Sequence, residues 1–186
     1  MSTAHDRVFV AGVGMTRFDK IGTNGVTYPH MVAEAVGKAL ADAGIGYDRV
    51  QRAAVGYVFQ ASAAGQRALY DVGLTGIPVV NVNNNCATGS TALLLAHEWV
   101  RAGLAEIVLA VGFEQMTKEA MSGSGSGVTT VDHHLGVMVP AVGWAAAPMT
   151  AQFFGHAADE HMRRYGTTVE QLASVAVKNH EHSTRN

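Results

Sequence analysis

The stretch Val79-Val80-Asn81-Val82-Asn83-Asn84-Asn85-Cys86-Ala87-Thr88-Gly89-Ser90-Thr91-Ala92-Leu93 joins two kinds of pattern within one short span. Val79 to Val82 is rich in β-branched valine and bounded by turn-forming residues, which reads as a strand. From Cys86 onward Leu93, Leu94, Leu95, Ala96, Trp99 and Val100 recur at helical spacing until Gly103 stops them. A strand passing into a helix through a short polar turn is the repeating unit of an α/β fold.

The same alternation extends in both directions. Downstream, Glu106 to Val111 reads as a further strand. Upstream, Gly76-Ile77-Pro78 is a turn, Ala68 to Leu74 a short helix, and Ala53 to Phe59 a strand. Met31, Val32, Ala35, Val36, Ala39, Leu40 and Ala43 fall on one helical face, with Pro29 in the first turn and Gly44 as the stop. Val8 to Val13 is a continuous apolar run ending in glycine, which predicts a first strand covered on both faces. The expected order is β-α-β-α-β-α-β, an α/β fold with a mainly parallel sheet. The pattern changes after Phe113. Ser122-Gly123-Ser124-Gly125-Ser126-Gly127 is too flexible for the interior of an element. Thr129 to Trp144 shows no clear period, and long irregular segments beside α/β sheets are usually functional. Met149 to Tyr165 then predicts a helix closed by Gly166. Thr167-Thr168-Val169-Glu170 reads as a capping box, opening a helix with Leu172, Val175, Ala176 and Asn179 along one face. Residues 1–116 are thus the β-α core, and 117–186 a loop region with two helices of the same domain.

Composition narrows the function classes. Hydrophobic residues make up 48% of the 186-residue sequence and charged residues 15%, a balance expected of a chain that buries surface against another polypeptide. The formal net charge is -2, so there is no electrostatic footprint for nucleic acid. The single cysteine excludes an internal disulfide framework and fits a reducing, cytoplasmic setting. No run approaches the roughly 18 apolar residues that suggest a membrane span. The apolar opening follows Asp6 and lacks a small-residue cleavage site, so it reads as a strand rather than a signal peptide. Gly12-Val13-Gly14 lacks the third glycine and the acidic residue of a dinucleotide fingerprint.

Cys86 is the candidate nucleophile. It falls where a helix begins, and the first helical amides have no intrahelical acceptors. With the helix dipole they favour negative charge at that position, on a thiolate or on an oxyanion forming beside it. Ala87, Gly89 and Ser90 are small enough to let an acyl chain or another backbone approach. A free cysteine is more commonly a small buried hydrophobe. Against that stands the asparagine triplet, a polar run between two apolar elements that needs a physical reason.

Asn83 to Leu93 resembles the nucleophile segment of thiolases, specifically the sterol-carrier-protein type. Val10-Ala11-Gly12-Val13-Gly14-Met15-Thr16, Ala110-Val111-Gly112-Phe113-Glu114-Gln115-Met116, Tyr165-Gly166 and Lys178-Asn179-His180 resemble the same branch. The resemblance runs from Val8 to Ser183. It implies a fold of two similar β-α-β-α-β-α-β-β halves, the active site lying between them. It implies that Cys86 takes the acyl group of a 3-ketoacyl-CoA, which coenzyme A then removes as a thioester, in lipid or sterol side-chain metabolism. It also implies a dimer, with the strand before the nucleophile helping to pair the subunits, and a substrate-covering loop within Thr117 to Pro148. The family's activating His, second Cys and oxyanion His or Asn belong to a C-terminal half, and its fifth strand follows the helix ending near Ser183. None has a counterpart here.

Carry-over is therefore limited to Cys86 and the backbone beside it. No residue is assigned to a permanently bound cofactor; coenzyme A enters as the thioester substrate. The chain is expected to need a dimer partner or a separate C-terminal half. The histidines do not fill the gap. His133-His134 lies in the loop region with only adjacency to recommend it. His156 and His161 are five positions apart, about 140° around a helix and poor for joint metal ligation, so no metal site is expected. His180 and His182 read as a solvated polar tail, and His97 as a core or interface residue. Three functions remain open: an acyltransferase of the thiolase type, a non-catalytic thiolase-like subunit or truncated product that only associates, and a thiolase-like aldolase or lyase with an accessory protein. The retained cysteine and complete nucleophile segment favour the first.

Overall fold

In the computed structural model, residues 7–20, 25–116 and 131–185 are described. The chain forms two compact units, 1–123 and 124–186. The first unit contains α1 (Tyr28–Ala43), a 3₁₀ turn (Tyr47–Arg49), β1 (Arg52–Gly56), α2 (Ala64–Tyr70), β2 (Val79–Val82), α3 (Thr88–Arg101) and β3 (Val108–Gly112). The three strands form one parallel sheet in the order β2-β1-β3. Ala53 is paired with Val79 on one side and Leu109 on the other. The α/β expectation therefore holds.

β1 is central, and its last four residues are buried. Alternate side chains serve opposite faces of a strand. Ala53, Val55 and Tyr57 join Val32 and Val36 of α1, Ala64, Ala68 and Leu69 of α2, and Val111 of β3 in one apolar cluster. Gly56, of opposite parity, meets Thr88 at the start of α3, and α3 packs on β1 and β3 through Ala92 and Ala96. Helix α1 carries proline in its first turn and ends at Gly44, whose φ of 67° is the left-handed stop that glycine adopts without a Cβ penalty.

Several expectations are corrected. Val8 to Val13 forms no strand. It runs along α1, where Gly12 and Gly14 lie against the backbone of Ala39 and Ala35 and Val13 N–H donates to Asp42 Oδ2 at 2.9 Å. Phe9 and Val10 stay exposed. An apolar run reports a need for cover, but a strand also needs a neighbour to complete its ladder, and none of the three strands pairs with this one. The short helix begins at Ala64 rather than Ala68, and β1 ends at Gly56 rather than Phe59.

The second unit contains α4 (Asp132–Val142), α5 (Met149–Tyr165) and α6 (Val169–Ser183). Helix α5 has the expected bounds and closes on Gly166 at φ 72°. Helix α4 occupies a stretch read as irregular; Leu135, Val137, Met138, Val139, Ala141 and Val142 are too uniformly apolar to show a period, and Pro140 lies inside it. The capping box is displaced by one residue: Thr168 and Gln171 exchange the reciprocal bonds. His180 and His182 lie in the last turn of α6, not in a tail. The Ser-Gly run 122–127 lies outside the described residues. Among the described residues no helix is long and apolar enough to cross a membrane.

Candidate active site around Cys86

Because the strands are parallel, the segments that follow all three emerge at one end of the sheet, the usual site-bearing end of such sheets. After β2 the chain turns through Asn83, Asn84 and Asn85. Asn85 has φ 47°, in the left-handed region that asparagine tolerates better than most side chains. Asn85 N–H donates to Asn83 Oδ1 at 3.2 Å. The Ala87 and Thr88 amides donate to the carbonyls of Asn84 and Asn85, each at 3.1 Å. Thr88, only 6% exposed, completes the turn: its hydroxyl accepts Asn84 N–H at 2.8 Å and donates to the Asn85 carbonyl at 2.5 Å. Asn84 Nδ2 also donates to Thr91 Oγ1 at 3.0 Å. The asparagines thus serve the turn and leave Cys86 as its exposed, free thiol.

The helix begins two residues later than the sequence suggested, at Thr88 with Ala87 as its cap. The Ala87 and Thr88 amides are consumed by the turn, whereas those of Gly89 and Ser90 have no acceptor among the described residues. These two are the donors still open to an oxyanion or thiolate. The close seating of α3 depends on glycine at the end of β1, while at Gly112 a Cβ would make only ordinary contact. A Cβ on Gly56 would stand 2.6 Å from Thr88 Cγ2 and 3.1 Å from the Thr88 carbonyl oxygen, and one on Gly112 would lie 3.6 Å from Gly89 Cα. Thr88 and Gly56 were missed as site-building residues; a glycine ending a buried strand was the available signal.

No His, Asp or Glu among the described residues is hydrogen bonded to Cys86. His97 is exposed on α3 rather than set in a core. His133, His134 and His156 belong to the second unit, where with Val137, Met138 and Phe153 they line an open concavity of about 420 Å³. His161 Nδ1 is bonded to Thr167 Oγ1 at 2.8 Å. No group of three His, Cys, Asp or Glu side chains among the described residues is arranged to hold a metal ion.

The parallel α/β fold agrees with the family comparison. Residues 8–186 match the model of the thiolase N-terminal domain, and the chain belongs to the thiolase family. Within it, the chain is 54% identical to sterol carrier protein 2 of Gallus gallus over 97% of its own length and 33% of that protein's. It is 33% identical to the benzoylsuccinyl-CoA thiolase subunit BbsB of Thauera aromatica, over 97% of this chain and 44% of that one. The chain thus spans about a third of the length of the sterol carrier proteins it matches. Among solved structures, the Ltp2-ChsH2(DUF35) aldolase superposes with a TM-score of 0.57 and 23% identity, covering 85% of this chain and 38% of that one. That likeness concerns the fold.

Proposed function

We propose that this chain supplies the nucleophile of a thiolase-type acyl transfer, with Cys86 as the acyl acceptor and a coenzyme A thioester as the donor. The observation that carries the reading is Cys86 itself, exposed at a turn fixed by Thr88 and the three asparagines, in a thiolase-family domain. The Cys86 thiolate adds to the 3-keto carbon of a 3-ketoacyl-CoA, forming a C–S bond while the carbonyl electron pair moves to oxygen. The oxyanion collapses and the C2–C3 bond breaks; its electron pair stays on C2 of the departing shortened coenzyme A thioester, which takes up a proton there. A coenzyme A thiol then adds to the acyl-Cys86 thioester, gives up its proton and releases the Cys86 thiolate as leaving group. Gly89 and Ser90 N–H are the proposed oxyanion donors of the first step.

The protons need a base and an acid, and among the described residues no side chain hydrogen bonded to Cys86 provides either. The reading therefore includes a second component: the remaining portion of a thiolase, in the same polypeptide, a partner chain or a dimer. The sterol-carrier name of the relatives supports lipid or sterol acyl groups as cargo. The test is incubation with acetoacetyl-CoA, with and without a C-terminal thiolase portion from a sterol-carrier-type relative, followed by peptide mass spectrometry. One acyl group on Cys86 in the supplemented sample, absent in Cys86→Ala, is expected. Stable association with the added portion but no acyl-Cys86 would favour a subunit that only associates.

A further inference from the structure

The segment Phe113-Glu114-Gln115, which follows β3, has no role in the acyl transfer just described, yet it reaches both α1 and the segment after β1. The Phe113 ring stacks on Tyr28 of α1 at 5.0 Å and on Tyr57 beyond β1 at 5.2 Å. Gln115 Oε1 accepts the N–H of Tyr28, the first residue of α1, at 2.8 Å. Glu114 takes the loop after β1. Its Oε2 accepts Val58 N–H at 2.8 Å, and its Oε1 accepts Phe59 N–H at 3.3 Å and Gln60 Nε2–H at 2.9 Å. No ion pair to Glu114 is formed among the described residues; its charge is met by donors of one loop. A carboxylate only accepts, so it can serve all three donors, whereas an amide would turn an NH₂ group toward one of them.

That loop also reaches the nucleophile turn. Val58 donates its N–H to Glu114, and its carbonyl accepts Asn83 Nδ2–H at 3.4 Å. Asn83 Oδ1 accepts the N–H of Asn85, and Asn85 holds its positive φ immediately before Cys86. Asparagine tolerates that region, and the Asn83 side chain on its N–H holds it there. The Val58–Asn83 link is long at 3.4 Å, and the Glu114 carboxylate fixes the Val58 end of it. We infer that Glu114 is a positioning residue for Cys86, acting through Val58, Asn83 and Asn85. The inference rests on the reading of Cys86 as the acyl acceptor.

The test uses the full chain, Glu114→Gln, Asn83→Ala and their double variant. Cys86 is the single cysteine, so iodoacetamide labelling reports its reactivity directly, while amide exchange follows Val58, Phe59 and Asn85. Each single variant is expected to change the labelling rate by about threefold or more and to speed exchange at Asn85. The double variant is expected to do little more than either single, because both break one path. Multiplying rate effects would overturn the inference. So would a Glu114→Gln chain with faster exchange at Val58 and Phe59 but unchanged Asn85 and Cys86, which makes Glu114 a local loop staple. Glu114→Asp, which keeps an acceptor-only carboxylate, is expected to restore part of the wild-type rate. If Glu114→Gln does not fold, Gln60→Ala combined with Asn83→Ala reads the same path from its other partner. Labelling and exchange need no acyl donor. Coupling without acyl-Cys86 in the supplemented thiolysis experiment would sink the acyl-transfer reading alone; acylation without coupling would sink the positioning role alone.

Discussion

Thr88 is the residue on which the geometry around Cys86 turns most directly. Its hydroxyl satisfies the Asn84 amide and the Asn85 carbonyl together, within the contact made possible by Gly56. Thr88→Val keeps the shape and removes both bonds. It should cost about 1–3 kcal/mol, the usual penalty for leaving a buried polar group without a partner, measured by urea unfolding, and should alter Cys86 labelling. Gly56→Ala should destabilise by a similar amount, about 1–3 kcal/mol, through overpacking against Thr88. A different residue offers a gain. Ala63, the cap of α2, has φ 62°, a conformation that is strained with a Cβ and free without one. Ala63→Gly is expected to stabilise by roughly 0.5–1 kcal/mol, the left-handed penalty less the extra chain entropy of glycine, read as a higher urea midpoint. Cys86 was legible as the candidate because a lone cysteine beside three asparagines is conspicuous in the sequence. Thr88 and Glu114 were not, since their importance lies in which distant backbone groups they meet.

Elements with a strong period and clear terminators were legible: α1 between Pro29 and Gly44, α5 ending at Gly166, and β2 at its observed bounds. Those that lacked a period, as α4 does, or a neighbour, as Val8 to Val13 does, were not. The start of α6 offers a test at this scale. Thr168 Oγ1 accepts Gln171 N–H at 3.3 Å and Gln171 Oε1 accepts Thr168 N–H at 2.9 Å. Removing the cap with Thr168→Ala should cost about 1 kcal/mol, seen as faster amide exchange in the first turn. Glu170 in that turn is held below the usual carboxylate range, chiefly by its own backbone N–H and next by the Thr168 hydroxyl. A lowered native value means that its contribution to stability is present above the ordinary glutamate range and is lost as pH falls through the native value. Helix α6 is therefore expected to loosen on acidification through that window. In Thr168→Ala the Glu170 titration, followed by carboxyl NMR, should move upward toward the ordinary value.

At the level of the whole molecule the surface remains unusually apolar. Phe9, Val10 and Phe18 are 73%, 73% and 78% exposed, Leu74 is 81% exposed, and Leu93 and Leu94 of α3 are more than half exposed. Each large side chain left in water forgoes about 1.5–3 kcal/mol of burial. The 186-residue chain by itself is expected to self-associate at micromolar concentration, with Leu93→Lys and Leu94→Lys reducing it. Sedimentation velocity checks this; a monodisperse monomer with a cooperative melt would contradict it. Composition had already pointed to buried partner surface, through high apolar and low charged content. Local pattern settled the α/β class, most helix stops and the candidate nucleophile, because periodicity, turn chemistry and residue type act between near neighbours. Tertiary structure alone decided that Val8 to Val13 lies along α1 and forms no strand. It also decided that the helix after Cys86 starts at Thr88, leaving the Gly89 and Ser90 amides open, and that Glu114 reaches the loop after β1, which meets the nucleophile turn. Those outcomes depend on which distant backbone groups find each other, and hydrogen-bond satisfaction across the fold is not written in any local stretch of sequence.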